Sequence, residues 1–128
     1  MAFILDASAV LAVVLGETGA DYVLQHTYKT HLMTVNFSEA IAKLMEYGVS
    51  AKDAGKQISR LDCIIHDFNS DLAERTAVLH GLTKDFGLSL GDRACLSLGQ
   101  LLNLPVLTSD RRMSESAAVL GLDIRQIR

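Results

Sequence analysis

Apolar residues fall into short continuous runs and into longer stretches with helical spacing, and the two kinds alternate along the chain. Phe3, Ile4 and Leu5 stand together without a polar residue, so Ala2–Leu5 reads as a short buried strand. A helix over Ala7–Leu15 follows. Gly16 and Gly19 then mark a turn before Ala20–His26 resumes helical spacing. His31–Thr34 is a second strand candidate and leads into a helix over Asn36–Tyr47, with Gly48 as its stop. In that helix Phe37, Ile41, Leu44 and Met45 share one face. Ser50 suits the N-cap of a helix over Ala51–Leu61, and the run Cys63–His66 reads as a third strand. Helices over Asp71–Thr83 and Asp92–Leu102 precede a buried strand at Pro105–Thr108. A helix over Arg111–Leu120 and a last strand at Ile124–Ile127 complete the pattern. Pro105 opens its strand, where a missing backbone donor does least harm.

Strands that alternate with helices predict an α/β fold around a mostly parallel sheet. The 128 residues fit one domain spanning 1–128, and no repeat, low-complexity tract or linker divides them. Composition sharpens this picture in three ways. Hydrophobic residues make up 49% but aromatics only 5%, with no Trp, so the core is built from Leu, Val, Ile and Ala. A net charge of −3 argues against a broad basic surface that coats nucleic acid. It leaves room for a nuclease, because a bound divalent cation inverts the charge of an acidic site. Cys63 and Cys95 lie far apart in apolar runs without a CxxC and read as reduced thiols. No basic segment precedes the first apolar run, which Asp6 interrupts, so the expectation is a soluble, cytoplasmic protein without signal peptide or membrane span.

Four carboxylates carry the candidate chemistry, each at the mouth of an otherwise apolar element: Asp6, Glu39, Asp92 and Asp110. Each also has a purely structural explanation. Asp6 can cap the helix that follows it, and Glu39 stands three residues after Asn36, as in a capping box. Asp92 can cap its helix after Gly91, and Asp110 can serve a turn. Ligands of open parallel sheets bind outside the carboxyl ends of strands, which is where Asp6 and Asp110 fall. Gathered at about 5 Å with an effective dielectric of about 20, each pair of acids would cost roughly 3 kcal/mol, which a hard divalent metal relieves. Competing motifs fail. Gly87-Leu88-Ser89-Leu90-Gly91 satisfies GxSxG, but the last histidine, His80, precedes it, so Ser89 reads as a loop residue. The four histidines show no ligand spacing, and neither GxGxxG nor a P-loop is present.

Four stretches together resemble the PIN-domain family, and within it the VapC-type toxin ribonucleases of type II toxin–antitoxin systems. They are Ile4-Leu5-Asp6-Ala7-Ser8-Ala9, Val35-Asn36-Phe37-Ser38-Glu39-Ala40, Leu88-Ser89-Leu90-Gly91-Asp92-Arg93-Ala94-Cys95 and Val106-Leu107-Thr108-Ser109-Asp110-Arg111. The resemblance implies a three-layer α/β/α domain that hydrolyses RNA with Mg²⁺ or Mn²⁺. It implies that Asp6, Asp92 and Asp110 hold metal, with Glu39 contributing directly or through water. Ser8 and Thr108 would orient carboxylates or waters, and Arg93, Arg111 and Arg112 are candidates for substrate phosphates. Implied partners are the RNA, a cognate antitoxin and a second copy of the chain. Ile41, Leu44, Met45 and Val49 are candidates for that dimer contact, as they are for the core. The alternative is a catalytically silent PIN-like module that binds RNA or protein, and cleavage of DNA instead of RNA also fits the motifs.

Overall fold

The computed structural model describes residues 2–26 and 29–128. Its first half runs β1 (Ala2–Leu5), α1 (Ala7–Leu15), α2 (Ala20–His26), β2 (Lys29–Met33), α3 (Thr34–Glu46), α4 (Ala51–Ser59) and β3 (Ile64–His66). The second half runs α5 (Ser70–Leu82), α6 (Leu90–Leu102), β4 (Val106–Thr108), α7 (Arg111–Glu115), α8 (Ala117–Leu120) and β5 (Ile124–Gln126). Each predicted element is present; the differences lie at their ends and in one helix that is broken in two. The second strand reaches back to Lys29 and stops at Met33, because Thr34 already belongs to α3. The helix expected over Arg111–Leu120 breaks at Ser116, whose hydroxyl donates to Met113 O at 2.7 Å. A serine bonding back to the preceding turn competes with the helical ladder.

Five strands lie in the order β3-β2-β1-β4-β5, and every neighbouring pair is parallel. Leu5 stands opposite Leu32 on one side and Leu107 on the other. Alternation along each strand divides the core in two. Phe3, Leu5, Leu32 and Leu107 pack with Val10, Val23, Ala40, Leu44 and Ile58, so α1 to α4 cover that face. Ile4, Met33 and Val106 pack with Leu72, Leu79, Leu96, Leu98 and Met113, so α5 to α7 cover the other. This is the parallel sheet expected from the alternating pattern, in the three-layer α/β/α arrangement that the family resemblance implies. Met45 departs from the predicted apolar stripe and is 50% exposed, whereas Leu44 is fully committed to the core. Among the described residues, no helix is long and apolar enough to cross a membrane.

The strand order places the site. The chain adds β2 and β3 on one side of β1, then returns to add β4 and β5 on the other. Connections therefore diverge between β1 and β4, and ligands of open parallel sheets bind beyond the carboxyl ends of strands at such a switch point. Asp6 immediately follows β1 there, its N–H bonded to Leu107 O at 3.2 Å.

Candidate active site

Asp6 is buried at this switch point, only 4% exposed. Oδ1 accepts Ala9 N–H at 2.9 Å, which makes Asp6 the N-cap of α1 as its position predicted. Ser8 Oγ donates to the same oxygen at 2.6 Å, and Thr108 Oγ1 donates to Oδ2 at 2.5 Å. The two hydroxyls are themselves held. Ser109 N–H donates to Ser8 Oγ and Asp110 N–H to Thr108 Oγ1, each at 2.9 Å. Ser8 and Thr108 thus fix both oxygens of Asp6 and tie β1 to the end of β4. Burial nevertheless pushes the Asp6 carboxyl up to about 6, against the lowering effect of these donors, with the charge of Asp92 adding to the rise.

Asp92 does not begin its helix. Ser89 is the N-cap of α6, accepting Asp92 N–H at 3.2 Å, while Asp92 Oδ2 accepts Ser89 N–H at 2.9 Å. This reciprocal capping box corrects the loop assignment of Ser89 and occupies one oxygen of Asp92. Glu39 is no cap either. α3 begins two residues earlier than predicted, after Met33, which makes no side-chain cap bond. Glu39 Oε1 instead accepts Asn36 Nδ2 at 2.9 Å, and its carboxylate lies against Gly91, where an added Cβ would collide with it. Beneath this group Cys95 is fully buried, and burial together with the charges of Asp6, Asp92 and Glu39 holds its thiol well above the usual range. Such a thiol stays protonated.

Asp110 caps α7 through Arg112 N–H at 2.8 Å and faces the Arg112 guanidinium at 3.4 Å. Asp6, Glu39 and Asp92 differ from it: among the described residues none of the three is paired with Lys or Arg. Nor do three Asp, Glu, His or Cys side chains among the described residues converge closely enough to form a ready-made ligand shell. The donor set itself fits Mg²⁺ or Mn²⁺. It consists of hard carboxylate oxygens, of which those of Asp6, Glu39 and Asp92 have no Lys or Arg counter-ion among the described residues, and Asp6 is buried at a cost to its charged form.

The arginines separate. Arg93 turns toward α5, donating to Thr76 O at 3.4 Å, while Arg111 pairs with Glu115 at 3.1 Å and Arg112 also reaches Gly87 O at 3.3 Å. Arg111 and Arg112 therefore remain as exposed cations beside Asp110. Sequence reasoning took Asn36 only as a capping-box partner of Glu39 and missed that its buried side chain joins Glu39 to α6. Its position three residues before Glu39 on a helix was the available signal. It also missed that His31 and His66, 35 residues apart, meet at 2.7 Å across β2 and β3. The side chain of His26 lies outside the described residues.

No protein-family model and no curated protein sequence matches the chain. Solved structures do. DNA-bound VapBC from Salmonella typhimurium is 18% identical, with a TM-score of 0.74 over 100% of this chain and 99% of that one. A toxin–antitoxin complex from Klebsiella pneumoniae is 17% identical, with a TM-score of 0.72 over 98% and 97% of the two chains. Mycobacterium tuberculosis VapC20, described as a Sarcin-Ricin loop cleaving toxin, is 12% identical with a TM-score of 0.73 over 89% and 94%. The chain thus has the α/β/α fold of the VapC-type PIN domains found in VapBC toxin–antitoxin complexes.

Proposed function

We propose that this chain is an Mg²⁺- or Mn²⁺-dependent endoribonuclease, the toxin of a toxin–antitoxin pair that acts in the cytoplasm. One observation carries the reading. Asp6 is buried against its own charge at the switch point of a parallel sheet, the charge of Asp92 adds to that cost, and among the described residues neither these two nor Glu39 has a Lys or Arg counter-ion. An arrangement that disfavours its own ionised state is characteristic of functional sites.

In this reading Asp6, Asp92 and Glu39 hold the cation, with Asp110 alongside. Bound there, Mg²⁺ or Mn²⁺ supplies positive charge against the negative charge that develops on a scissile phosphate. The chain's own residues do the positioning. Ser8 and Thr108 fix the orientation of Asp6, and the Ser89 box fixes Asp92 at the positive end of α6. Arg111 and Arg112, exposed on α7, bind the phosphates that flank the cut. The likeness to VapBC complexes supports a cognate antitoxin as partner.

Labelled RNA and single-stranded DNA, incubated with Mg²⁺, Mn²⁺ or chelator, test the proposal. Wild type is expected to cleave RNA only with metal, and Asp6→Asn and Asp92→Asn are each expected to abolish cleavage. Equal cleavage in chelator, or full activity in both variants, would overturn the metal–carboxylate mechanism. Preferential cleavage of the DNA would reassign the substrate.

A further inference from the structure

We propose that Asn36 is a positioning residue that, together with Gly91, seats the Glu39 carboxylate on the first turn of α6 beside Asp92. The inference rests on the metal-dependent reading above and extends it to a side chain that touches neither substrate nor metal.

Asn36 is 1% exposed, an unusual place for an amide on a helix that could offer an apolar residue to the core. Its Nδ2 donates to Glu39 Oε1 at 2.9 Å and to Gly91 O at 3.0 Å. Both partners are acceptors only, so the amide orientation is dictated chemically: turned over, Oδ1 would face a carboxylate and a carbonyl. The consequence is that Oδ1 is buried without a hydrogen-bond partner among the described residues. An unsatisfied buried acceptor destabilises a fold. The fold therefore tolerates a local penalty in order to hold one carboxylate in place. Gly91 completes the seat. Its backbone lies in a helix and has no positive φ, so conformation does not demand glycine. Space does, because a Cβ would meet Glu39 Oε1, Oε2 and Cδ. Asn36 pulls the carboxylate down, and the missing Cβ leaves room for it.

The seat has an energetic signature opposite to that of a packing residue. Asn36→Leu removes the donors but also the orphaned oxygen, and the carbonyl of Gly91 keeps its place in the helical ladder. Gly91→Ala displaces a flexible side-chain end while improving helix propensity. Neither substitution is expected to lower the melting temperature in chelator. Both are expected to weaken Mn²⁺ binding about ten- to a hundredfold, the usual effect of removing support for a ligand.

Mn²⁺ titration of the full chain followed by electron paramagnetic resonance, without RNA, reads this directly for wild type, Asn36→Leu, Gly91→Ala and Glu39→Gln. Weakened binding in all three variants with unchanged melting temperatures is the expected result. If Glu39→Gln binds weakly while Asn36→Leu and Gly91→Ala bind like wild type, the positioning role is wrong and the metal centre stands. A large loss of melting temperature in Asn36→Leu would mark a structural role instead. If wild type binds no Mn²⁺, the metal-dependent reading falls. The seat is then decided by a crystal structure of Asn36→Leu, in which Glu39 still lying against Gly91 overturns it.

Discussion

Asp6 shows how one residue can serve a fold and strain it together. Its carboxylate caps α1 and accepts two hydroxyls, yet its pKa is raised from 3.8 to about 6, first by burial. A folded pKa above the unfolded one means the native state holds the extra proton between about pH 4 and pH 6. Stability therefore falls as pH rises through that window. Above it the ionised carboxylate costs about 3 kcal/mol, taking 1.36 kcal/mol per unit. Asn keeps the cap acceptor, and the Thr108 hydroxyl, already 3.5 Å from Met113 Sδ, can turn to accept from the new amide. In chelator at pH 8, Asp6→Asn is expected to melt above wild type, and the gap should close near pH 4. Calorimetry at the two pH values checks this; a variant that melts lower at pH 8 would mean that capping dominates.

At the scale of elements, α6 does the most. It caps itself through Ser89 and Asp92, carries Gly91 under Glu39, and packs Ala94, Cys95, Leu96 and Leu98 into the core. Near its other end Gly99 lets the helix approach the sheet, since a Cβ there would lie 2.8 Å from Val106 Cγ2 and 3.4 Å from Leu104 O. The two glycines predict opposite outcomes. At Gly91 the obstacle is a mobile carboxylate. At Gly99 it is a β-branched side chain locked in a central strand and a backbone oxygen. Gly99→Ala should therefore destabilise by about 1–3 kcal/mol through overpacking, despite the better helix propensity of alanine. Urea unfolding measures it, and a stabilised variant would show that the contact between helix and sheet yields easily.

For the whole molecule, the site exists only when the chain is folded. Residues 6, 39, 92 and 110 are scattered along the sequence: three stand at the starts of α1, α6 and α7 and Glu39 lies in the second turn of α3, all ordered by the β3-β2-β1-β4-β5 sheet. A cation bound to this site binds the native state and not the unfolded chain, so it must stabilise the fold. At a hundred times its dissociation constant, the gain is about 2.7 kcal/mol. Mn²⁺ is accordingly expected to raise the melting temperature of wild type, and Asp6→Asn to remove most of that rise. Scanning calorimetry with and without Mn²⁺ decides it, and a wild type indifferent to millimolar Mn²⁺ would count against the metal centre.

What the sequence by itself determined is local. Runs of three or four apolar residues, helical spacing and a capping serine at position 50 specify where strands and helices lie, because those signals act within a few residues. Strand-then-acid at Asp6 and at Asp110 was legible for the same reason. Tertiary structure decided which groups meet. That Glu39 answers to Asn36 and Gly91 instead of capping α3 depends on how α3 crosses α6. That His31 meets His66 depends on the register of β2 against β3, where Met33 and not His31 stands opposite His66. The contacts of Asn36 with Gly91 and of His31 with His66 span distances in sequence over which periodicity carries no information; packing alone selects them.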